Sequence, residues 1–233
     1  MEKAIKRYFP IFVLPTMIAF TLGFIIPFVE GVYLSFCKFT TVNDAKFIGF
    51  ANYAKVFADE TFVHAFWYTA AFTVVSVILI NVLAFAVALL LTKGFKGTNI
   101  FRTVFFMPNL IGGIVLGYIW QLLLNGILMK FSRTLTYSST YGFWGLIILM
   151  CWQQIGYMMI IYTTGLNNIP KDLSEAAAID GAGTWQRFKS ITVPMLMPSF
   201  TIVFFLTLSK CFMLLDQNVA LTDGNFSTRM LAM

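Results

Sequence analysis

Apolar residues run on without alternation in five stretches of the chain: Ile11 to Leu34, Phe66 to Leu91, Val104 to Leu124, Tyr141 to Tyr162 and Pro194 to Leu215. At a rise of about 1.5 Å per residue, roughly 20 apolar residues in a helix cross the hydrocarbon layer of a bilayer. Strands of a membrane barrel would instead alternate apolar and polar positions over about ten residues. The pattern therefore predicts an all-α, polytopic transmembrane helical bundle. No internal repeat, low-complexity tract or Gly/Ser linker divides it, so a single membrane domain over 1–233 is expected.

Proline falls within the spans at Pro15, Pro27, Pro108 and Pro198. Each removes an N–H and crowds the carbonyl four residues back, which predicts kinked or interrupted helices whose freed carbonyls find partners inside a bundle. Membrane helices also tolerate proline generally, and both readings stand at each position.

Composition agrees with lipid as the main solvent: 59% of residues are hydrophobic and 11% charged, with a mean hydropathy of +0.81. A formal charge of +6 invites thoughts of nucleic acid, but the basic residues are scattered through short loops and form no stripe. Placing the amino terminus in the cytoplasm puts Lys3, Lys6, Arg7, Lys93, Lys96, Arg102, Lys171, Arg187 and Lys189 inside. Lys38, Lys46, Lys55, Lys130, Arg133 and Arg229 then lie outside, and nine against six favours this orientation. The basic start followed by an apolar run is not read as a cleavable signal, because the run continues too long and no small-residue cleavage pattern follows. Cys37, Cys151 and Cys211 lie far apart and His64 is the single histidine, so no metal site, disulfide or catalytic residue is expected.

The segment from Leu166 to Pro198 is too polar and too long to be a mere turn. Pro170 suits a first helical turn, Glu175 through Ala178 favour helix, and Gly181 ends it in a left-handed conformation; a second short helix runs from Thr184 towards Pro194. The orientation argument puts this helix, glycine break and helix on the cytoplasmic face. Two readings follow: a knob presented to a cytoplasmic partner, or an amphipathic helix lying on lipid headgroups.

Within it, Glu175-Ala-Ala-Ala-Ile-Asp-Gly-Ala-Gly183, followed by Arg187-Phe188, Ile191 and Pro194, resembles the EAA loop of permease subunits in binding-protein-dependent ABC importers. Tyr33-Leu-Ser-Phe36, Phe47-Ile-Gly-Phe-Ala-Asn-Tyr53 and Lys96-Gly-Thr-Asn-Ile-Phe-Arg102 with Pro108 resemble the oligosaccharide branch, of maltose or multiple-sugar type. The resemblance implies the type I permease fold in a bacterial or archaeal cell (inner) membrane. Its partners would be a second permease subunit, two ATPase subunits, an extracytoplasmic solute-binding protein, a sugar and membrane lipid. No cofactor is expected in this chain, since ATP and Mg would be bound by the partner ATPase subunits. The resemblance further assigns Glu175 to polar contact with the ATPase, Ala176 and Ala177 to close packing, Asp180 and Gly181 to the turn, and Arg187 and Phe188 to anchoring the second helix. At Gly181 a Cβ is expected to clash. A sixth span, for which the loop from Leu221 to Phe226 would prepare, is expected and not visible, so the chain reads as incomplete or truncated.

A solute path is sought where polar groups interrupt the spans. The fourth carries Trp152, Gln153, Gln154 and Tyr157; spacings of three and four residues put Gln153, Gln154 and Tyr157 near one face, and the cost of amides in lipid turns it inward. Rings with amide donors and acceptors suit a sugar, although polar contact between helices explains single residues equally well. Lys210 is the one clear cation within an apolar run and either lines the path or snorkels to the interface. An intramembrane enzyme finds no H-E-x-x-H helix, paired aspartates or Ser/His pair here. Gly94-Phe-Lys-Gly-Thr98 lacks Walker A spacing, which leaves an ion-coupled transporter or channel subunit as the alternative; only Glu30 approaches the acidic mid-membrane residue such coupling needs.

Overall fold

A computed structural model describes residues 2–41, 44–94 and 96–224, with side-chain surroundings beginning at Tyr8. Arg229, Phe95 and the end of the loop compared with a sixth-span entry lie outside the described residues. The chain divides into two compact units, residues 1–63 and 64–233, the division falling just before the second apolar run.

In the first unit, α1 (Glu2–Phe20) continues through a π-turn (Thr21–Ile25) into α2 (Ile26–Ser35). Pro27 sits in the first turn of α2, and its missing N–H falls where the ladder has already widened so that Ile26 N–H reaches the Thr21 carbonyl. Phe20, Phe24 and Phe28 stack along one side at 5.0 and 6.0 Å. None of the apolar window from Ile11 to Ser35 is buried within this chain, as expected of a helix apolar all round.

A tight knot follows, and it accounts for two of the motifs noted above. Strand β1 (Cys37–Lys38) pairs antiparallel with β2 (Lys46–Phe47), and α3 (Ala51–Ala58) closes over them. Asn52 donates its amide to the carbonyls of Ser35 and Cys37 at 3.0 and 2.8 Å, and the Ser35 and Tyr53 hydroxyls share a 2.7 Å hydrogen bond. Phe36 packs against Phe47, Phe50 and Tyr53. In the hairpin loop, backbone N–H groups of Thr41 and Thr40 hold the exposed Asp44 carboxyl below its usual range.

The second unit is a helical bundle around α7 (Ser139–Asn167), 61% of whose apolar window is buried, against 33% for α4 (Glu60–Leu91) and 11% for the span Gly113–Phe131. Along α4 the buried positions Thr69, Phe72, Ser76, Ile80, Ala84 and Ala88 recur every three or four residues, and the exposed positions between them are largely apolar. One face meets the bundle and the others suit lipid.

The third span is interrupted at Pro108, as the proline predicts, and its long helix lies further along the chain than the apolar run from Val104 to Leu124. Helix α5 (Thr98–Phe106) passes into a 3₁₀ turn (Met107–Leu110) holding Pro108, and Ile111 is extended before α6 (Gly113–Leu128) begins. Pro108 cannot donate to the α-ladder. Beyond α7 lie α8 (Lys171–Ile179), α9 (Thr184–Arg187), a π-turn (Phe188–Thr192) and α10 (Val193–Met195). They lead into α11 (Met197–Phe212), with a 62° bend at Leu196, between Pro194 and Pro198. A final α12 (Leu215–Thr222), short and more polar, folds back onto α6.

Lipid is as apolar as leucine, so close packing and interhelical hydrogen bonds hold such helices together. Gly156 of α7 lies directly against the backbone of Phe105 and Phe106, Gly117 of α6 against Ala220, and Gly165 of α7 against Leu196 and Ser199. Tyr162, fully buried, donates its hydroxyl to Asn81 Oδ1 at 2.7 Å and so ties α7 to α4.

Candidate coupling loop and translocation site

Helix α8 is built from residues that favour helix and ends where Gly181 takes φ +80°. The Gly181 N–H reaches the Ala178 carbonyl at 3.1 Å and the Ala182 N–H reaches that of Ala177 at 2.9 Å. This is a Schellman ending, which satisfies two orphan carbonyls and turns the chain out of the helix. Contrary to expectation, among the described residues no atom beyond the chain neighbours lies within 4 Å of a Cβ built on Gly181. The requirement for glycine here is the left-handed backbone, not space.

Glu175, Ala176, Asp180 and Gly181 are exposed and Ala177 is half-buried. Beside them Ile179 is 88% exposed and Trp185 74%, leaving apolar surface around the turn uncovered. Arg187 and Phe188 are half-buried. The Arg187 guanidinium reaches the Ser174 carbonyl at 3.5 Å, which links α9 to α8, and the Phe188 ring stacks on Trp185 at 5.5 Å. Phe188 also lies 6.1 Å from Phe85 of α4, and Phe85 in turn packs with Tyr162 of α7 and Phe200 of α11 at 5.3 and 5.1 Å. A continuous set of rings thus runs from the loop into three helices of the bundle.

The polar residues of α7 divide. Gln153 and Gln154 are buried and line a cavity of about 110 Å³, together with Asn109, Met150, Lys210, Met213, Leu214 and Gln217. Gln153 Nε2 donates to the Ile111 carbonyl and Gln217 Nε2 to Gln153 Oε1, both at 3.5 Å. Gln154 Oε1 and Gln217 Oε1 are buried with no hydrogen-bond partner. Lys210, near the end of α11, joins this cavity.

Trp152 and Tyr157 do not line it. Trp152 is half exposed with its ring edge-on to Trp120 of α6 at 5.5 Å, and Tyr157 lies half-buried against Phe106 at 6.4 Å. At about 100° per residue, the steps from 152 to 157 spread these four residues over more than one face. Asn109 and Gln217 were missed by reading the sequence. The signals that could have found them are the Pro108 break, which exposes a following asparagine, and the polar triplet Asp216-Gln-Asn218 directly after an apolar run.

A bundle of membrane-spanning helices, with a helix-turn-helix projecting before a bent last span and a polar pocket between helices, defines a multi-pass transport protein. Residues 80–215 match the family described as "Binding-protein-dependent transport system inner membrane component". The probable starch degradation products transport system permease protein AmyD of Thermoanaerobacterium thermosulfurigenes is 39% identical over 92% of this chain and 76% of its own length. The multiple sugar-binding transport system permease protein MsmF of Streptococcus mutans is 30% identical over 96% of this chain and 81% of its own length. A bacterial ABC transporter involved in import of the acidic polysaccharide alginate shares the fold with a TM-score of 0.76, at 22% identity over 98% of this chain and 83% of that one. The chain belongs to the family of inner membrane components of binding-protein-dependent transport systems, and is one of its permeases.

Proposed function

We propose that this permease forms one half of the pore of an ATP-driven importer for an oligosaccharide of the kind released from starch. A second permease completes the pore, an extracytoplasmic binding protein delivers the sugar, and two ATPase subunits that bind ATP and Mg dock on the cytoplasmic face. The amino terminus lies in the cytoplasm. The observation that carries the reading is the glycine-ended helix α8, family motif and exposed apolar turn in one. The names of the two relatives support the sugar. The chain itself catalyses no reaction.

In this reading Glu175, Ala176, Ala177, Asp180 and Gly181 meet the ATPase. The small alanines permit close approach, and Glu175 supplies a polar contact. Arg187 and Phe188 carry the movement inward: Arg187 keeps α8 and α9 together, and Phe188 presses on Phe85 and through it on Tyr162 and Phe200. Because packed interiors transmit displacement and do not absorb it, tilting the loop moves α4, α7 and α11 as a set.

Phe188→Ala is expected to lower sugar-stimulated ATP hydrolysis by about tenfold while the ATPase subunits stay bound, since removing the half-buried ring leaves a gap at the joint. Retained stimulation would show that the loop drives the bundle through other contacts.

The solute passes beside Gln153, Gln154 and Lys210, with Trp152 and Tyr157 on flanking faces of the path. Amides with free hydrogen-bonding capacity suit hydroxyls. Gln154→Leu, a swap of similar size without polar atoms, is expected to cut uptake into proteoliposomes holding the whole importer at least tenfold, with assembly unchanged. Normal uptake would move the path away from this cavity.

A further inference from the structure

Helix α7 leads into the coupling loop at Asn167 and begins at Ser139. Its 29 residues, at about 1.5 Å each, carry it about 43 Å, beyond the roughly 30 Å of a bilayer's hydrocarbon. The loop over residues 129–138 therefore stands on the face opposite the coupling loop.

That loop is firmly built. Ser132 takes φ +56°, and the N–H groups of Ser132 and Arg133 close on the Met129 and Leu128 carbonyls at 3.0 and 3.2 Å, which ends α6. Asn125 Oδ1 accepts the Leu135 N–H at 2.8 Å, and the buried Leu135 side chain lies over Gly145 of α7, where a Cβ would come within 2.8 Å of it. On this frame the Arg133 side chain is folded back. Its Cζ lies 5.2 Å from the centre of the Tyr137 ring and 5.7 Å from that of Tyr141, and its Nη1 donates to the Tyr141 hydroxyl. The guanidinium is nevertheless exposed, and one hydrogen bond leaves most of its donors to the outside. Among the described residues no carboxylate supports its charge, and no acidic residue occurs between Glu60 and Asp172. Beside it Met129, Phe131 and Tyr137 are also exposed.

Rings beside a cation at the end of a membrane helix suit either lipid headgroups or a protein. Headgroups draw freely extending cations, in clusters of about 4–8. This loop has two, Lys130 and Arg133, and Arg133 is pinned to two rings. Arginine, tyrosine, phenylalanine and methionine are the residues enriched at protein interfaces. A guanidinium already immobilised loses little further freedom on pairing, and its planar fork matches a carboxylate through two parallel hydrogen bonds.

We propose that the loop over residues 129–138 is a docking point for the extracytoplasmic binding protein, with Arg133 pairing a carboxylate of that protein and Phe131 and Tyr137 forming an apolar rim around the pair. The inference rests on the reading of this chain as an importer subunit served by such a protein.

The test follows ATP hydrolysis by the complete importer in phosphatidylcholine nanodiscs as its own binding protein, loaded with a glucose trisaccharide, is added in rising concentration. Arg133→Gln is expected to raise the half-saturating concentration at least tenfold, about 1.4 kcal/mol, while hydrolysis without binding protein and the maximum at saturation stay within about twofold. Arg133→Lys, which keeps the charge and loses the fork, is expected to fall between wild type and Arg133→Gln. Added salt should weaken docking of the wild type more than that of Arg133→Gln. An unchanged half-saturating concentration in Arg133→Gln overturns the docking point and leaves the importer standing. A wild type that the binding protein does not stimulate overturns both. Loss of the second permease when Arg133→Gln is purified places this face between the two permeases, and an effect that appears only once phosphatidylglycerol is added places it on headgroups; either result overturns the proposal.

Discussion

Replacing Gly181 with valine is expected to abolish sugar-stimulated ATP hydrolysis by the reconstituted importer, with the chain still made, inserted and purified in normal amount. The turn at Gly181 has φ +80°, closed by the hydrogen bonds from Gly181 to Ala178 and from Ala182 to Ala177. A β-branched residue held in that region costs roughly 1–3 kcal/mol. At about 1.4 kcal/mol per factor of ten, this lowers the population of correctly turned loops by about 5- to 150-fold. The space around the position is open in this chain, which gives the series a definite order. Gly181→Asn, tolerant of the left-handed region, should keep most of the stimulation; Gly181→Ala should lose part of it, at about 1 kcal/mol; Gly181→Val should lose it. Stimulation that instead falls with side-chain volume, asparagine included, would mean that a partner's surface fills the open space and that contact, not backbone conformation, sets the requirement.

This distinction bears on what a sequence reveals. The motif at Glu175 to Gly183 was legible because helix formers, a glycine and a restart at Thr184 prescribe one local path, and local paths are written in adjacent residues. The apolar runs were legible for the same reason. The demand for glycine at 181 was readable, but its cause was not, since whether a Cβ meets anything depends on residues remote in the chain. Pro108 marked the interruption of span three, whereas the start of the long helix at Gly113 was not readable, because hydropathy alone does not register a lost hydrogen bond. The bend at Leu196 was foreshadowed by Pro194 and Pro198, though not its 62° angle.

The polar cavity shows the limit most clearly. Gln153 and Gln154 are adjacent and the structure buries both, whereas Trp152 and Tyr157, the latter linked to them by helical spacing, pack on Trp120 and Phe106. Gln217 reaches the cavity only because α12 folds back onto α6 at Gly113 and Gly117, where a Cβ on Gly113 would lie 2.8 Å from the Gln217 side chain. A long-range approach of that kind leaves no periodic signal, and single glycines in an apolar helix have several meanings.

Gly156 supports the largest effect on folding. A Cβ at this position would fall within the backbone of Phe105 and 2.7 Å from the Phe106 nitrogen. Backbone atoms cannot step aside as the end of a long side chain can, so α7 and α5 would have to part. Inserting a single methylene into a packed core already costs typically about 1–3 kcal/mol, and here the obstruction is main chain in the bundle's most buried helix. Gly156→Ala is expected to lower the thermal midpoint of the importer in mild detergent, and Gly156→Leu to leave little or no monodisperse protein. Gly126 of α6 provides the control: it too lies within a helix, but among the described residues nothing beyond its own helix backbone stands within 4 Å of its Cβ position. Gly126→Ala should therefore leave the midpoint unchanged or raise it, in line with the roughly 1 kcal/mol by which alanine exceeds glycine in helices. If the two alanine variants melt alike, helix propensity governs both sites, and the close approach of α7 to the chain around Phe105 is not what holds this bundle together.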